Sequence, residues 1–529
     1  MTSRIPALFD PACYPHPVER VELIETHISW VFLAGEYAYK VKKPVRLPFL
    51  DFSTLEARRF FCEEELRLNR RTAPELYLRV VPIAGTRVRP RIAAKGKAIE
   101  YALQMRRFEQ DALAERIARS GELGSARIDA LAAVIAAFHA GLAGAANASG
   151  HGAQQQVVAP ALENFAEIGK LITSPVQSDR IKQLHAWTQN EGTRLLATFA
   201  ERKRDGFVRE CHGDLHLGNI AYVDGRPVPF DCIEFSAELR RIDVMSEVAF
   251  LVMDLLEHRL DAQAWRFLNA YLETTGDYQG LRVLNYYVVY RALVRAKIDL
   301  IRGHQPGSGE NSRDALEREF VRYVSLAERI ARPRQLSLVV MHGLAGAGKT
   351  TVSQQLLERI GAVRVRSDVE RKRLHGLAAR ARTHASPYTG IYAPETTRLT
   401  YERLKSEVRD IIASGVTAIV DAAFLWRSLR EEFRELAREL GVPFMILSCH
   451  ASHAELRVRV ARRDAAMNDA SEAGVAVLEN QIVTEEPLGP DELTHALIIE
   501  TDADAATLSS RVQAVAARLA HSDATAASV

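Results

Sequence analysis

Hydrophobic positions change their period along this chain, and the changes outline its elements. From 21 to 50, VELIETHISWVFLAGEYAYKVKKPVRLPFL, β-branched and aromatic residues surround a Gly-Glu turn signal, which predicts a small antiparallel sheet. FSTLEARRFFCEEELRLNRR at 52–71 shifts to helical spacing through Leu55, Phe60, Phe61, Leu66 and Leu68, with Ser53 as the expected N-cap. Segments 77–83 and 98–108 read as further strands, so the first hundred residues form a strand-rich lobe with one helix. After Gly121 alanine-rich helices take over, notably at 126–143, followed by a polar, glycine-containing loop at 144–156. Amphipathic stretches at 180–203, 242–275 and 280–302 complete a mainly helical second lobe.

GHQPGSGENS at 303–312 is a dense cluster of loop-forming residues, and a helix at about 313–331 separates it from ARPRQ at 331–335. A domain boundary is therefore expected near Pro333. Beyond it LSLVVM, AVRVRSD, GVTAIVDAAFL and VPFMILSCH alternate with helical patterns, the sequence form of βαβ units and a parallel sheet. The expected domains span 1–330 and 333–520, with a frayed Ala/Ser-rich tail at 521–529.

Composition supports this division. A chain of 529 residues exceeds what one hydrophobic core organises, and 47% apolar with 26% charged residues is an ordinary globular balance. The net charge of +2 provides no field for nucleic acid or an anionic membrane, so phosphate affinity must be local. Cys13, Cys62, Cys211, Cys232 and Cys449 form no C-x-x-C pair, and neither a secretory leader nor an 18-residue apolar run is visible. A cytoplasmic protein without membrane or nucleic-acid partners is the expectation.

Two segments carry chemistry. In HGDLHLGN at 212–219, Asp214 and Asn219 have the D-x-x-x-x-N spacing of a protein-kinase catalytic loop, and Asp231 follows within FDCIEF at 230–235. A carboxylate beside an acceptor hydroxyl can take its proton, while an amide oxygen and a second carboxylate can hold Mg²⁺ against nucleotide phosphates. His212 is expected to brace the loop. The bland alternative is a surface turn, and Asp243 reads either as a buttress of the loop or as a helix cap.

HGDLHLGNI with FDCIEF resembles the aminoglycoside phosphotransferase and choline kinase group, whose fold is similar to protein kinases, over roughly 20–300. The resemblance implies Asp214 as catalytic base, Asn219 and Asp231 as Mg²⁺ ligands, and Glu234 as an auxiliary polar group. The chain departs from protein kinases in lacking a G-x-G-x-x-G loop near its start and in having FDCIEF where D-F-G would stand. A kinase-like lobe also needs a strand lysine for the α/β-phosphates, fixed by a helix carboxylate. AYKVKK offers Lys40 and Lys42 on one strand face, with Lys40 favoured, and Glu65 or Glu64 as partner; a solvated strand edge is the alternative.

GLAGAGKT at 343–350 fits G-x-x-x-x-G-K-[ST] between an apolar strand and a helix. Gly343, Leu344, Ala345, Gly346, Ala347 and Gly348 would wrap main-chain N–H groups around phosphate oxygens at the positive end of that helix, which Thr351 continues. Lys349 would bridge β- and γ-phosphates and Thr350 would ligate Mg²⁺. Asp421 ends the apolar strand AIVD as a Walker-B-like carboxylate or as an ordinary strand-end aspartate. Asp368, just after a strand and among Arg366, Arg371 and Arg373, stands where small P-loop kinases grip and deprotonate an acceptor. Arg459 and Arg463, four apart on one helix face, resemble lid arginines that stabilise charge on a transferring phosphoryl group; a solvated basic face is the alternative.

Residues 336–515 resemble the gluconate, polynucleotide and adenylate kinase type of P-loop phosphotransferase, a group often labelled AAA-type ATPases. The whole arrangement resembles bacterial bifunctional aminoglycoside phosphotransferase/ATP-binding proteins. What this implies is an α+β, protein-kinase-like two-lobed domain followed by an α/β three-layer P-loop NTPase domain, each binding ATP and Mg²⁺ and phosphorylating small-molecule hydroxyl acceptors. A nucleotide-responsive regulator or scaffold without phosphoryl transfer is the competing reading. Nucleic-acid end phosphorylation, suggested by the arginines around Asp368, is the third.

Overall fold

The computed structural model describes residues 6–47, 50–144, 154–304, 310–379, 381–383, 389–466 and 470–521. They group into two compact units, one from Met1–Ala161 with Phe199–Asp254, the other from Leu162–Thr198 with Leu255–Val529. Most of the loop at 144–156, half of the segment 303–312, and the tail after 521 lie outside the described residues.

In the first unit, alternating apolar residues place β1 (Val21–Glu25), β2 (Ser29–Ala34) and β3 (Tyr37–Lys42) side by side, with Gly35 and Glu36 turning β2 into β3. Helix α1 (Leu55–Asn69) follows, then β4 (Tyr77–Gly85), β5 (Pro90–Ile92) and β6 (Ala98–Arg106). The described residues form a six-stranded antiparallel sheet of order β1-β2-β3-β6-β4-β5. Trp30, Phe32, Tyr39, Val81, Ile83 and Ala102 fill its core. The cap of α1 is Thr54 and not the expected Ser53. Asp51 captures the Ser53 hydroxyl at 2.6 Å, while Thr54 Oγ1 accepts the Ala57 N–H at 3.1 Å. Helix α2 (Ser125–Ala140), the hairpin of β7 (Ile220–Val223) with β8 (Arg226–Pro229), and α3 (Val244–Glu257) complete the scaffold.

The stretch 242–275 is broken near 258–260, so it yields α3 and a separate α4 (Asp261–Thr275). In the second unit α4, α5 (Leu281–Gly303) and α6 (Glu310–Ala331) precede β9 (Leu338–His342). There follow α7 (Lys349–Ile360), β10 (Ala362–Arg366), α8 (Ser367–Leu374), α9 (Pro394–Ala413) and β11 (Thr417–Asp421). The unit closes with α10 (Arg427–Glu439), β12 (Phe444–His450), α11 (His453–Ala466), α12 (Val475–Thr484), β13 (Ala496–Glu500) and α13 (Ala505–His521).

Strands β9 and β11 are buried along their whole length, as expected of strands covered on both faces. The described strands here form a five-stranded, wholly parallel sheet of order β10-β11-β9-β12-β13. The change of pattern near Pro333 is not a break in packing. Trp265 of α4 packs against the core that holds Val339, Met341, Ile419 and Leu447, and Asn269 of α4 bonds β10 through the Arg364 N–H and the Ala362 carbonyl. No described helix is long and apolar enough to cross a membrane.

Candidate functional sites

In the first unit Lys40 and Lys42 project from one face of β3, a strand flanked by β2 and β6, which excludes the solvated-edge alternative. Both reach Glu65 on α1, Lys40 at 2.7 Å to Oε1 and Lys42 at 2.7 Å to Oε2. Lys40 also lies 2.5 Å from Asp231 Oδ1, and Lys42 lies 2.5 Å from Glu234 Oε1. The difference between them is access. Lys42 and its partners are sealed, whereas Asp231 beside Lys40 keeps 43% of its side-chain surface exposed, so Lys40 stands at the mouth of the site. Burial pushes the Glu65 carboxyl up, but Lys40 and Lys42 overcome it and hold Glu65 at about 2. Glu64, the other candidate, instead pairs with Arg67 and Arg240.

The 212–219 loop is held from behind. Gly213 has φ +90° and an added Cβ would stand 3.0 Å from the Leu239 carbonyl oxygen. Its N–H donates to Glu247 Oε1 at 2.7 Å, and the Leu217 N–H donates to Asp254 Oδ2 at 2.8 Å. His212 Nε2 bonds the Phe230 carbonyl at 2.8 Å, the bracing role expected of it. The β7–β8 hairpin then returns the chain, with Phe230 N–H on the Asn219 carbonyl at 2.9 Å, so Asn219 and Asp231 meet at the hairpin base. Asn219 Nδ2 donates to Asp214 Oδ2 at 3.1 Å, which orients that carboxylate and leaves the amide oxygen as the atom offered to a cation. Asp231 adopts φ +66°, a left-handed conformation uncommon outside glycine, with its N–H tied to the Tyr77 hydroxyl at 3.0 Å.

Sequence reading missed His216, 3.5 Å from Asp214 Oδ2, and the two acidic anchors Glu247 and Asp254. Asp243 is the helix cap weighed for it, since it accepts the Met245 N–H at 2.8 Å, and its other bond is to Arg202 at 2.6 Å.

In the second unit Gly346 and Gly348 take φ +82° and +81°, and Gly343 takes +133° with no room for a Cβ, which would meet the Cys449 carbonyl oxygen at 2.4 Å. The loop between them leads into α7. Lys349 Nζ bonds the Gly343 and Leu344 carbonyls at 2.7 and 2.8 Å, and burial pushes its pKa down. Ala345 N–H donates to Gln481 Oε1 at 2.8 Å. Thr350 Oγ1 donates to Asp421 Oδ2 at 2.8 Å, an all-oxygen pair of the kind Mg²⁺ selects. Asp421 and Arg366 are register partners at the ends of neighbouring strands, their side chains 3.8 Å apart.

These residues open on a cavity of about 420 Å³, within the usual range for small-ligand sites. Residues Ala345 to Thr351 line it together with Asp368, Arg371 and Tyr392, and Arg459 and Arg463 also border it. Gly343 and Leu344 stand behind, serving Lys349. Arg459 is engaged by Glu455 at 2.7 Å and by the Thr501 side chain and carbonyl at 3.0 and 2.9 Å, while Arg463 donates to the Ala473 carbonyl at 2.6 Å. Arg373 does not join Arg366 and Arg371 as the sequence suggested. It turns to Glu370 and to the Glu273 carbonyl, so the expected three-arginine cluster is two at the cavity.

Residues 338–488 match the AAA domain family AAA_33. Over 473 residues, 89% of this chain and 92% of the relative, the sequence is 29% identical to the uncharacterized protein Rv2004c of Mycobacterium tuberculosis (strain ATCC 25618 / H37Rv). Among solved structures, a choline/ethanolamine kinase family protein from Mesorhizobium loti shares 13% identity, covering 60% of this chain and 92% of that one, at a TM-score of 0.35. A gluconokinase from Sinorhizobium meliloti 1021 shares 23% identity, covering 36% of this chain and 97% of that one, at a TM-score of 0.25. At these identities and scores both structures are likenesses from which no activity is read.

Proposed function

We propose that the chain is an ATP-dependent phosphotransferase with two kinase-type sites, each moving the γ-phosphoryl group of ATP to a hydroxyl of a small molecule. The observation that carries this reading is the composition of the P-loop cavity. Gly346, Gly348, Lys349 and Thr350 line it together with Asp368, so donor and acceptor would share one enclosure. The acceptor oxygen bonds to the γ-phosphorus as the bond to the β,γ-bridging oxygen breaks, its electron pair leaves on ADP, and the hydroxyl proton passes to Asp368. Lys349 exchanges its two loop carbonyls for phosphate oxygens, and Arg459 and Arg463 border the transferring group.

In the first site the corresponding parts are Asp214 for the proton, Lys40 fixed by Glu65 for the phosphates, and Asn219 with Asp231 for the cation. Mg²⁺, held by Thr350 and Asp421 or by Asn219 and Asp231, supplies charge neutralisation at the phosphate oxygens when bound. The likeness to aminoglycoside phosphotransferases is one of machinery, and no antibiotic acceptor is proposed. Five buried, unpaired cysteines fit a reducing, cytoplasmic setting.

The test is transfer from γ-labelled ATP to a panel of hydroxyl compounds by the full chain, by Asp214→Asn, by Lys349→Ala and by the double variant. Each single variant is expected to lose a different subset of labelled products, and the double variant all of them. Wild-type label incorporation by the double variant would refute the proposal.

A further inference from the structure

Behind the 212–219 loop, the first unit gathers three ligand-type side chains from distant parts of the chain. His139 lies in the last turn of α2, Cys211 precedes the loop and Glu247 lies in the first turn of α3. One donor atom of each stands within 4.8 Å of the other two, and among the described residues no other three His, Cys, Asp or Glu side chains converge this closely. All three are sealed, at 1%, 0% and 1% exposure. His139 Nε2 bonds Glu247 Oε2 at 2.8 Å, and the Cys211 thiol meets the Ile242 carbonyl at 3.6 Å, a weak bond. Their main chain is anchored. Arg209 Nη1 donates to the His139 carbonyl, Arg71 Nη2 to the Cys211 carbonyl at 3.1 Å, and the Cys211 N–H to the Arg240 carbonyl at 2.7 Å. Glu247 Oε1 accepts the Gly213 N–H at 2.7 Å, the kind of outer bond that orients a ligating carboxylate.

We infer that His139, Cys211 and Glu247 bind a thiophilic divalent cation, Zn²⁺ for this donor set, and that the ion clamps the 212–219 loop through Glu247. Sulfur, imidazole and carboxylate together select zinc over magnesium, whereas Thr350 with Asp421 and Asn219 with Asp231 offer oxygen alone. A tetrahedral Zn²⁺, about 2.3 Å from sulfur and about 2.0–2.1 Å from nitrogen or oxygen, spaces its ligand atoms roughly 3.3–3.6 Å apart. His139 and Glu247 must part slightly, and Cys211 Sγ must move in by no more than about 1.5 Å, a side-chain rotation. On binding, the thiol proton leaves to solvent, and thiolate, carboxylate and dication sum to zero, so the interior gains no net charge. Burial, and then Glu247, push the Cys211 thiol well above its ordinary value; the dication supplies the compensation that a thiolate there otherwise lacks. Three protein ligands leave the fourth position to water.

The test needs no activity. The full chain, stripped with a chelator and kept reduced, is titrated with Co²⁺ as a spectroscopic stand-in for Zn²⁺. One equivalent should raise a thiolate-to-cobalt charge-transfer band in the near ultraviolet, which Zn²⁺ then abolishes; Co²⁺ at the all-oxygen sites gives no such band. Cys211→Ala should lose the band and bind Zn²⁺ more than about a hundredfold more weakly, beyond the loss that outer-shell changes cause, whereas Cys13→Ser should keep both. Absence of the band in wild type, or its survival in Cys211→Ala, overturns the site and leaves an ordinary His–Glu pair beside an inert thiol. If Cys211→Ala does not fold, zinc-edge X-ray absorption of the wild-type chain decides: one sulfur with nitrogen or oxygen neighbours is expected, and a sphere without sulfur, or with two or more, refutes the assignment. Amide hydrogen exchange reads the clamp. Zn²⁺ should slow exchange at 212–219 at least several-fold, and unchanged exchange with the metal bound would overturn that part.

Discussion

Replacing Glu273 by Gln tests how the helices before the P-loop support its site. Glu273 on α4 accepts from Arg366 Nη1 at 3.1 Å and lies 3.4 Å from Arg364 Nη2, and the three side chains are 22%, 12% and 6% exposed. Arg364 also donates to the Thr350 carbonyl at 3.2 Å and to Ser353 Oγ at 3.1 Å, while Arg366 reaches Asp421. One carboxylate therefore compensates two largely buried guanidiniums that flank the proposed Mg²⁺ ligands. Breaking a buried pair costs about 3–5 kcal/mol. The lower end, about 3 kcal/mol, applies here, because Arg366 retains Asp421 and the Gln oxygen retains one hydrogen bond. Urea unfolding by tryptophan emission, using the transition that Mg·AMP-PNP displaces in wild type but not in Lys349→Ala, measures it. The pH dependence has a definite sign. Burial pushes Glu273 up, but Arg366 and Arg364 outweigh it and hold the carboxyl below its ordinary value. Its contribution is thus fully present above the unfolded-state value of about 4.3 and lost as pH falls through the lower folded value. The gap between wild type and Glu273→Gln should be constant near neutrality and close in acid. Arg366, released from Glu273, would compete with Mg²⁺ for Asp421, so the Kd for Mg·AMP-PNP should rise roughly tenfold, or about 1.4 kcal/mol. An unchanged urea midpoint at pH 7 together with an unchanged Kd would refute this reasoning.

Lys40→Met should leave the first unit folded but lower label transfer by its site at least about tenfold, or 1.4 kcal/mol. Lys42→Met leaves Glu234 in the interior without its lysine and Glu65 with Lys40 alone, and should cost about 3–5 kcal/mol of stability; equal melting temperatures for the two variants would contradict the division of labour. Gly343→Ala must relieve a 2.4 Å approach to the Cys449 carbonyl at φ +133°, so Mg·AMP-PNP binding measured by calorimetry should fall from two equivalents to one while far-UV circular dichroism is kept. Glu247→Ala removes the 2.7 Å hydrogen bond to the Gly213 N–H, a loss of about 1–3 kcal/mol by itself, together with the 2.8 Å bond to buried His139, and steady-state kinetics of the first site should show a fallen kcat with little change in KM for ATP.

The parts of this chain that were legible in sequence are those whose chemistry is enforced locally. A strand, three glycines that need positive φ, a lysine and a helix lie within fourteen residues of one another from Leu338 to Thr351, so the motif and its geometry coincide. Lys40, Glu65 and Asp231 were also legible, although Lys40 and Asp231 are 191 residues apart, because each carries a local signature of strand, helix or hairpin base. Charges on amphipathic helices have no such signature: Glu273 and Glu358 look alike in sequence, yet one bonds Arg364 and Arg366 beneath the P-loop and the other bonds Arg266 on the neighbouring helix. The cluster around Asp368 failed for a related reason. Arg371 and Arg373 are two apart, hence about 200° around α8, so a helix that turns one toward the cavity turns the other toward Glu370 and α4. Periodicity separates those two arginines. Which basic side chain each of Glu273, Glu370 and Glu472 neutralises depends on where those carboxylates fall in space, and nothing local in the sequence sets that.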